Sequence, residues 1–145
     1  MKYPNFAAAG LLLTLAVGVP NAFAPQAIAG EAAAAAAVPA TLDALWKSID
    51  AKSAELKITI NRGALDQVHH QAYAIRDLVA ALPGKSKSLA PERLAKVQAG
   101  VKFVATLAER LDATGDAKDA AGTKQNFDKL SNVLASLRSN YAITK

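Results

Sequence analysis

Apolar residues recur at alternating spacings of three and four along three stretches of the chain. They are Leu65, Val68, Ala72, Ile75, Val79 and Leu82, then Leu94, Val97, Val101, Val104, Ala108 and Leu111, then Phe127, Leu130, Leu134, Leu137 and Tyr141. At about 3.6 residues per turn, this spacing holds one narrow stripe on one side of an α-helix. A fourth, less regular stripe precedes them: Leu42, Leu45, Trp46, Ile49, Leu56 and Ile60, interrupted by Lys52 and Ser53. Four amphipathic segments of similar length joined by short connections predict an all-α protein, an up-down-up-down antiparallel four-helix bundle over residues 41–145.

Local signals set the expected boundaries. Thr41, two residues after Pro39, is a good N-cap for the first helix, and Asn61-Arg62-Gly63 can take the left-handed backbone that ends it. The second helix is predicted over 65–82, stopped by Pro83-Gly84. Pro91 suits the first turn of the third, with Leu89 placed to pack on Leu94 as a hydrophobic staple. The third is predicted to end near Ala113, where Thr114-Gly115-Asp116 would supply a C-terminal glycine and the N-capping aspartate of the fourth. Gly122 predicts fraying at the start of that last helix, which should reach Tyr141. About twenty apolar positions, each worth roughly 1.5–3 kcal/mol when a large side chain is buried, can offset the ordering entropy. Folding therefore requires neither haem nor metal.

The first residues have a different character. One positive charge at Lys2 is followed by an uncharged apolar run over 6–19, then Pro20 and the small-x-small site Ala27-Ile28-Ala29. This is the layout of a secretory signal peptide, predicted as residues 1–29 with cleavage after Ala29 and delivery to the periplasm. The earlier site Ala22-Phe23-Ala24 is followed by Pro25, which disfavours cleavage there. About 14 apolar residues fall short of the roughly 20 needed to cross a bilayer, so no transmembrane span is expected in the mature chain. Residues 30–40, with six consecutive alanines, offer no polar and apolar stripe to dock and read as a flexible leader. Cleavage would remove Lys2 and no acid, leaving 16 basic against 12 acidic side chains, a net charge of +4. The surplus is modest and interleaved with acids, and with no arginine-rich or aromatic-basic module nucleic acid is not an expected partner. The chain has no cysteine, which removes disulfides, thiolate chemistry and covalent haem attachment.

His69-His70 is the whole histidine content. With Leu65 and Val68 in the stripe, His70 falls on the outer face and His69 on the flank, about 100° apart, so the two rings should not share an ion within a regular helix. Asp66 lies one turn before His70, and the pair could supply two ligands to Cu²⁺, Ni²⁺ or Zn²⁺ on the outer face, with His69 contributing through local distortion or a second chain. The alternative is a solvated polar face. Arg76, on the flank with His69, is placed to reach a carboxylate such as Glu109. Phe103 lies away from the stripe, with Leu107 one turn later at its edge, and the two could form a docking patch for a partner helix. Alternatively Leu107 belongs to a wider core and Phe103 is covered by the leader or the 83–90 loop. Trp46, Tyr73 and Tyr141 are expected to form an aromatic wall. No Gly-rich phosphate loop, Ser-His-Asp arrangement or Glu-x-x-His helix motif is present, so an enzyme is not expected.

With a predicted signal peptide, four helices and the ending Phe127-Asp128-Lys129-Leu130-x-x-x-Leu134-x-x-Leu137-Arg138-x-x-Tyr141, the chain resembles the periplasmic cytochrome b562-like bundles over most of residues 41–141. The resemblance is architectural. Those cytochromes hold haem between a methionine of the first helix and a histidine of the last. Here Met1 is the one methionine and the last helix has no histidine, so no haem is implied. The same architecture is similar to small periplasmic metal-binding proteins, which implies divalent metal handling in the envelope. Two readings remain open: a non-enzymatic metal-binding protein using His69, His70 and Asp66, or a metal-independent interaction module that meets an envelope protein or transporter. Export makes a direct prediction. Mass spectrometry of the envelope-localised protein should show Gly30 at the N-terminus, and a retained Met1 would overturn the signal peptide.

Overall fold

A computed structural model describes residues 38–141. The predicted signal peptide, and all of the leader except its last three residues, lie outside the described residues. Four α-helices make up the fold, α1 (Leu42–Asn61), α2 (Val68–Ala80), α3 (Pro91–Asp116) and α4 (Ala120–Ser139), and no strand occurs among the described residues. Single 3₁₀ turns over Leu65–Gln67 and Pro83–Lys85 flank α2. The helix α3 packs on both α2 and α4, and α1 packs mainly on α2 and more lightly on α4.

The stripes are the core. All six stripe positions of the second segment, Leu65 to Leu82, are buried, as are Val97, Val104, Ala108 and Leu111 of α3 and Phe127, Leu130, Leu134 and Leu137 of α4. The irregular α1 stripe contributes Leu45, Trp46, Ile49 and Leu56. Leu42, Ile60, Leu89, Val101 and Tyr141 pack on this core from its edges.

Several ends follow their local signals. The Thr41 hydroxyl accepts from the Ala44 amide at 3.2 Å, and Gly63 takes the left-handed backbone, φ +72°, that turns the chain after α1. Pro91 opens α3. Two expectations are corrected. The segment from Leu65 begins as a 3₁₀ turn, held by the Gln67 amide on the Ala64 carbonyl at 3.1 Å, before becoming α-helical at Val68. More consequentially, α3 continues through Gly115 to Asp116, so Asp116 is not the cap of α4. The chain reverses at Lys118, φ +53°, and Asp119 caps α4 by accepting from the Gly122 amide at 2.9 Å. A Cβ on Gly122 would collide with the Asp119 carboxylate and sit 3.2 Å from Thr114 Cγ2, so this glycine admits the cap rather than merely loosening the turn.

The expected aromatic wall separates into two parts. Trp46 meets Tyr141 edge to face, with ring centroids 5.6 Å apart, while Tyr73 lies elsewhere against α3. Arg138 lays its guanidinium 4.5 Å above the Trp46 ring and donates to both carboxylate oxygens of Asp50 at 2.8 Å. At the same end, the buried Ser86 hydroxyl bonds the Leu82 carbonyl and the Tyr141 hydroxyl, tying the 83–90 connection to the end of α4.

Burial pushes the Tyr141 hydroxyl above its ordinary value of 10.0, with the Ser86 bond pulling the other way. A phenol raised on folding contributes stability that is fully present below the unfolded value and is lost as pH rises through the folded one. Stability should therefore be insensitive to this group up to about pH 10 and fall beyond it. Tyr141→Phe should make the alkaline fall in melting temperature shallower. An unchanged alkaline limb in that variant would show that Tyr141 titrates freely.

Candidate metal centre

The corrected end of α3 brings together three side chains. His69 is the second residue of α2, and Asp112 and Asp116 lie one turn apart on the last turns of α3, which puts both carboxylates on one helix face. One ligand atom from each of His69, Asp112 and Asp116 lies within 4.8 Å of the other two. Ligands bonded at about 2.1 Å in a tetrahedral array stand roughly 3.4 Å apart, so side-chain rotation would have to draw the cluster in by up to about 1.4 Å to hold an ion. His69 and Asp112 are half-buried and Asp116 is exposed, leaving one side of the cluster open to water.

A glycine makes the approach possible. Gly115 is buried, and a Cβ there would stand 2.8 Å from the Leu65 carbonyl oxygen and 3.3 Å from Val68 Cβ. Only a residue without a side chain lets α3 close onto the backbone that leads into α2. That closeness carries Asp112 and Asp116, on either side of Gly115, to His69.

The cluster sets two acidic side chains next to each other. Asp112 and Asp116 repel as like charges one turn apart. They also sit at the negative end of the α3 dipole, and the last turn of α3 carries no basic residue. The Tyr73 hydroxyl donates to Asp112 Oδ2 at 2.7 Å. That bond, burial and the charge of Asp112, with a smaller push from Glu109, hold the phenol above its ordinary range, while Arg76 pulls it down. Tyr73 therefore remains a neutral donor and fixes one oxygen of Asp112 without cancelling its charge. Arg76 does not reach Glu109: it is 2.8 Å from its neighbour Asp77 and lies over the Tyr73 ring at 4.5 Å. A divalent cation between the carboxylates would relieve both the mutual repulsion and the clash with the dipole.

Of the residues singled out from the sequence, His69 belongs to this cluster, whereas Asp66 and His70 are exposed outside it. The two histidine rings do not diverge as expected. Their centroids are 3.7 Å apart at a tilt of 42°. Leu107 is buried in the core and cannot share a surface patch, while Phe103 is 63% exposed and uncovered by the 83–90 connection. Asp112, Asp116 and Tyr73 were not assigned to a site from the sequence. The signal that could have found them is Asp112-x-x-x-Asp116, two acids at helical spacing near a helix C-terminus. No family model, curated protein or solved structure matches the chain.

Two substitutions test this description without any metal. Asp116→Asn removes a like charge and a dipole clash, so it should raise the melting temperature of the metal-free protein by a few degrees. Gly115→Ala should cost about 1–3 kcal/mol in chemical denaturation, because backbone rather than a flexible side chain must yield. An Asp116→Asn variant less stable than its parent would mean that the carboxylate is already neutralised.

Proposed function

We propose that this is a non-enzymatic, exported helical-bundle protein of the periplasm that binds a divalent transition metal ion through His69, Asp112 and Asp116, in envelope metal handling. The observation that carries the reading is the convergence of one imidazole and two carboxylates from α2 and α3 within 4.8 Å. One nitrogen and two oxygen donors form a borderline to hard set, suited to Zn²⁺, Ni²⁺ or Cu²⁺ rather than to a soft monovalent ion. Three protein ligands leave positions for water, and the exposure of Asp116 favours reversible loading over permanent structural use. Tyr73, bonded to Asp112, plays the orienting part that outer-shell partners play for ligating carboxylates.

The up-down-up-down antiparallel arrangement belongs to the same proposal. It is supported by contacts that advance along one helix as they retreat along its neighbour: Trp46 meets Tyr141 while Asp50 meets Arg138. Likewise a Cβ on Gly100 would strike Leu137, while one on Gly122 would approach Thr114. Residues 1–29 supply the argument for export, and the absence of an axial methionine and histidine pair in the mature sequence the argument against haem.

Calorimetric titration of the purified protein with zinc, nickel and copper separates the two metal readings. His69→Ala and Asp112→Asn should each abolish binding or weaken it by at least about tenfold, whereas His70→Ala and Asp66→Ala should leave it within about twofold of the parent. Binding should also be lost in acid, since a protonated imidazole cannot ligate. The reverse pattern would return the ion to the outer-face pair Asp66 and His70. No heat with any of the three ions would remove the metal function.

A further inference from the structure

We propose that the groove between α3 and α4 beside Phe103 is a docking site for an amphipathic helix of another protein, one with an apolar face edged by acidic residues. This inference is independent of the metal reading. Among the described residues, Phe103 is the most exposed large apolar side chain, at 63%. It lines a groove whose other apolar residues are Ala99, Gly100, Val133 and Leu137 and whose polar residues are Lys96, Ser136, Ser139 and Asn140. Gly100 shapes this groove. A Cβ there would stand only 2.8 Å from Leu137 Cγ, so glycine lets α4 settle close to α3 and leaves a depression where a side chain would otherwise project. The groove is therefore largely apolar with a polar margin, and one wall is the Phe103 ring. Aromatic anchors beside such pockets carry a large share of binding energy in protein interfaces, and a helix laid in a groove presents side chains at i, i+3, i+4 and i+7.

Charge decides the occupant. Lys96 and, on the far side of Phe103, Lys102 are the charged residues lining the two depressions that flank the ring. Neither lysine has a carboxylate within ion-pair distance among the described residues. A second copy would meet this patch with the same patch, setting lysines against lysines about a twofold axis. A helix with glutamate or aspartate along its edges instead meets them with opposite charge, which speeds encounter and fixes register.

The test uses the full purified protein and two synthetic peptides, each with leucine at i, i+3, i+4 and i+7. One carries glutamate at the flanking positions and the other lysine. Fluorescence anisotropy should show the acidic peptide binding at least about tenfold more tightly than the basic one, with an advantage that shrinks as salt is added. Phe103→Ala should weaken the acidic peptide by at least about tenfold. Because Phe103 is exposed, this variant keeps its fold, which circular dichroism verifies. Lys96→Glu combined with Lys102→Glu should invert the preference. Equal binding of both peptides, binding unaffected by Phe103→Ala, or no binding at all would overturn the proposal. So would sedimentation showing a dimer of the parent that Phe103→Ala dissolves, since the occupant would then be a second copy.

Discussion

The close approach of α3 to the start of α2 is the constraint on which the candidate metal centre depends, and it rests on one missing side chain. At Gly115 a Cβ would stand 2.8 Å from a backbone carbonyl, that of Leu65. Backbone cannot swing aside as the tip of a leucine can, so any other residue would lever the two segments apart. Everything nearby follows from that contact. Leu65 and Val68 stay buried, the 3₁₀ turn between them stays tight, and His69 comes within reach of the acids that flank Gly115. The Tyr73 to Asp112 bond then closes the same interface one turn further along.

Most of the chain obeys local rules, and the exceptions collect at this interface. Thr41 and Asp119 cap their helices, Pro91 occupies a first turn, and Gly63 takes a positive φ. Against that background, a helix that ends in Asp112 and Asp116 with no basic residue in its last turn is a local conflict. Neither acid is needed to pack the core. Tyr73 helps to orient one of them but supplies no charge. By helix-dipole and like-charge arguments alone, asparagine or lysine would suit these positions better.

The fold class was legible because burial in this protein is periodic. The spacing of Leu65, Val68, Ala72, Ile75, Val79 and Leu82 predicted six buried residues and all six are buried. The site was not legible, for a specific reason. Reading Gly115 as a helix terminator truncates α3 and turns Asp116 into a cap. Glycine near a helix end is ambiguous from sequence: it can supply a left-handed residue or remove a Cβ where another segment comes close. Here it does the second, and the left-handed residue is Lys118. The histidine neighbours were similarly deceptive. Helical projection fixes where a Cα–Cβ bond points but not where an imidazole ends, so rings expected to diverge lie 3.7 Å apart.

The two proposed surfaces share α3 without sharing a face. Nine residues separate Phe103 from Asp112, which at about 100° per residue is roughly two and a half turns and places them on nearly opposite sides of the helix. One side meets α2 through Gly115 and the candidate ligands Asp112 and Asp116. The other meets α4 through Gly100 and Leu137. Between them lie Val104, Leu107, Ala108 and Leu111, all buried. An ion bound at one side would therefore touch nothing in the groove, and any influence on a partner would have to pass through displacement of α3 as a packed unit. Glycines at both contacts limit such movement, because each lets α3 sit tight against its neighbour and leaves no side-chain cushion to absorb a shift. The proposed metal site and the proposed groove are therefore separable, and a substitution in either one leaves the packing around the other intact.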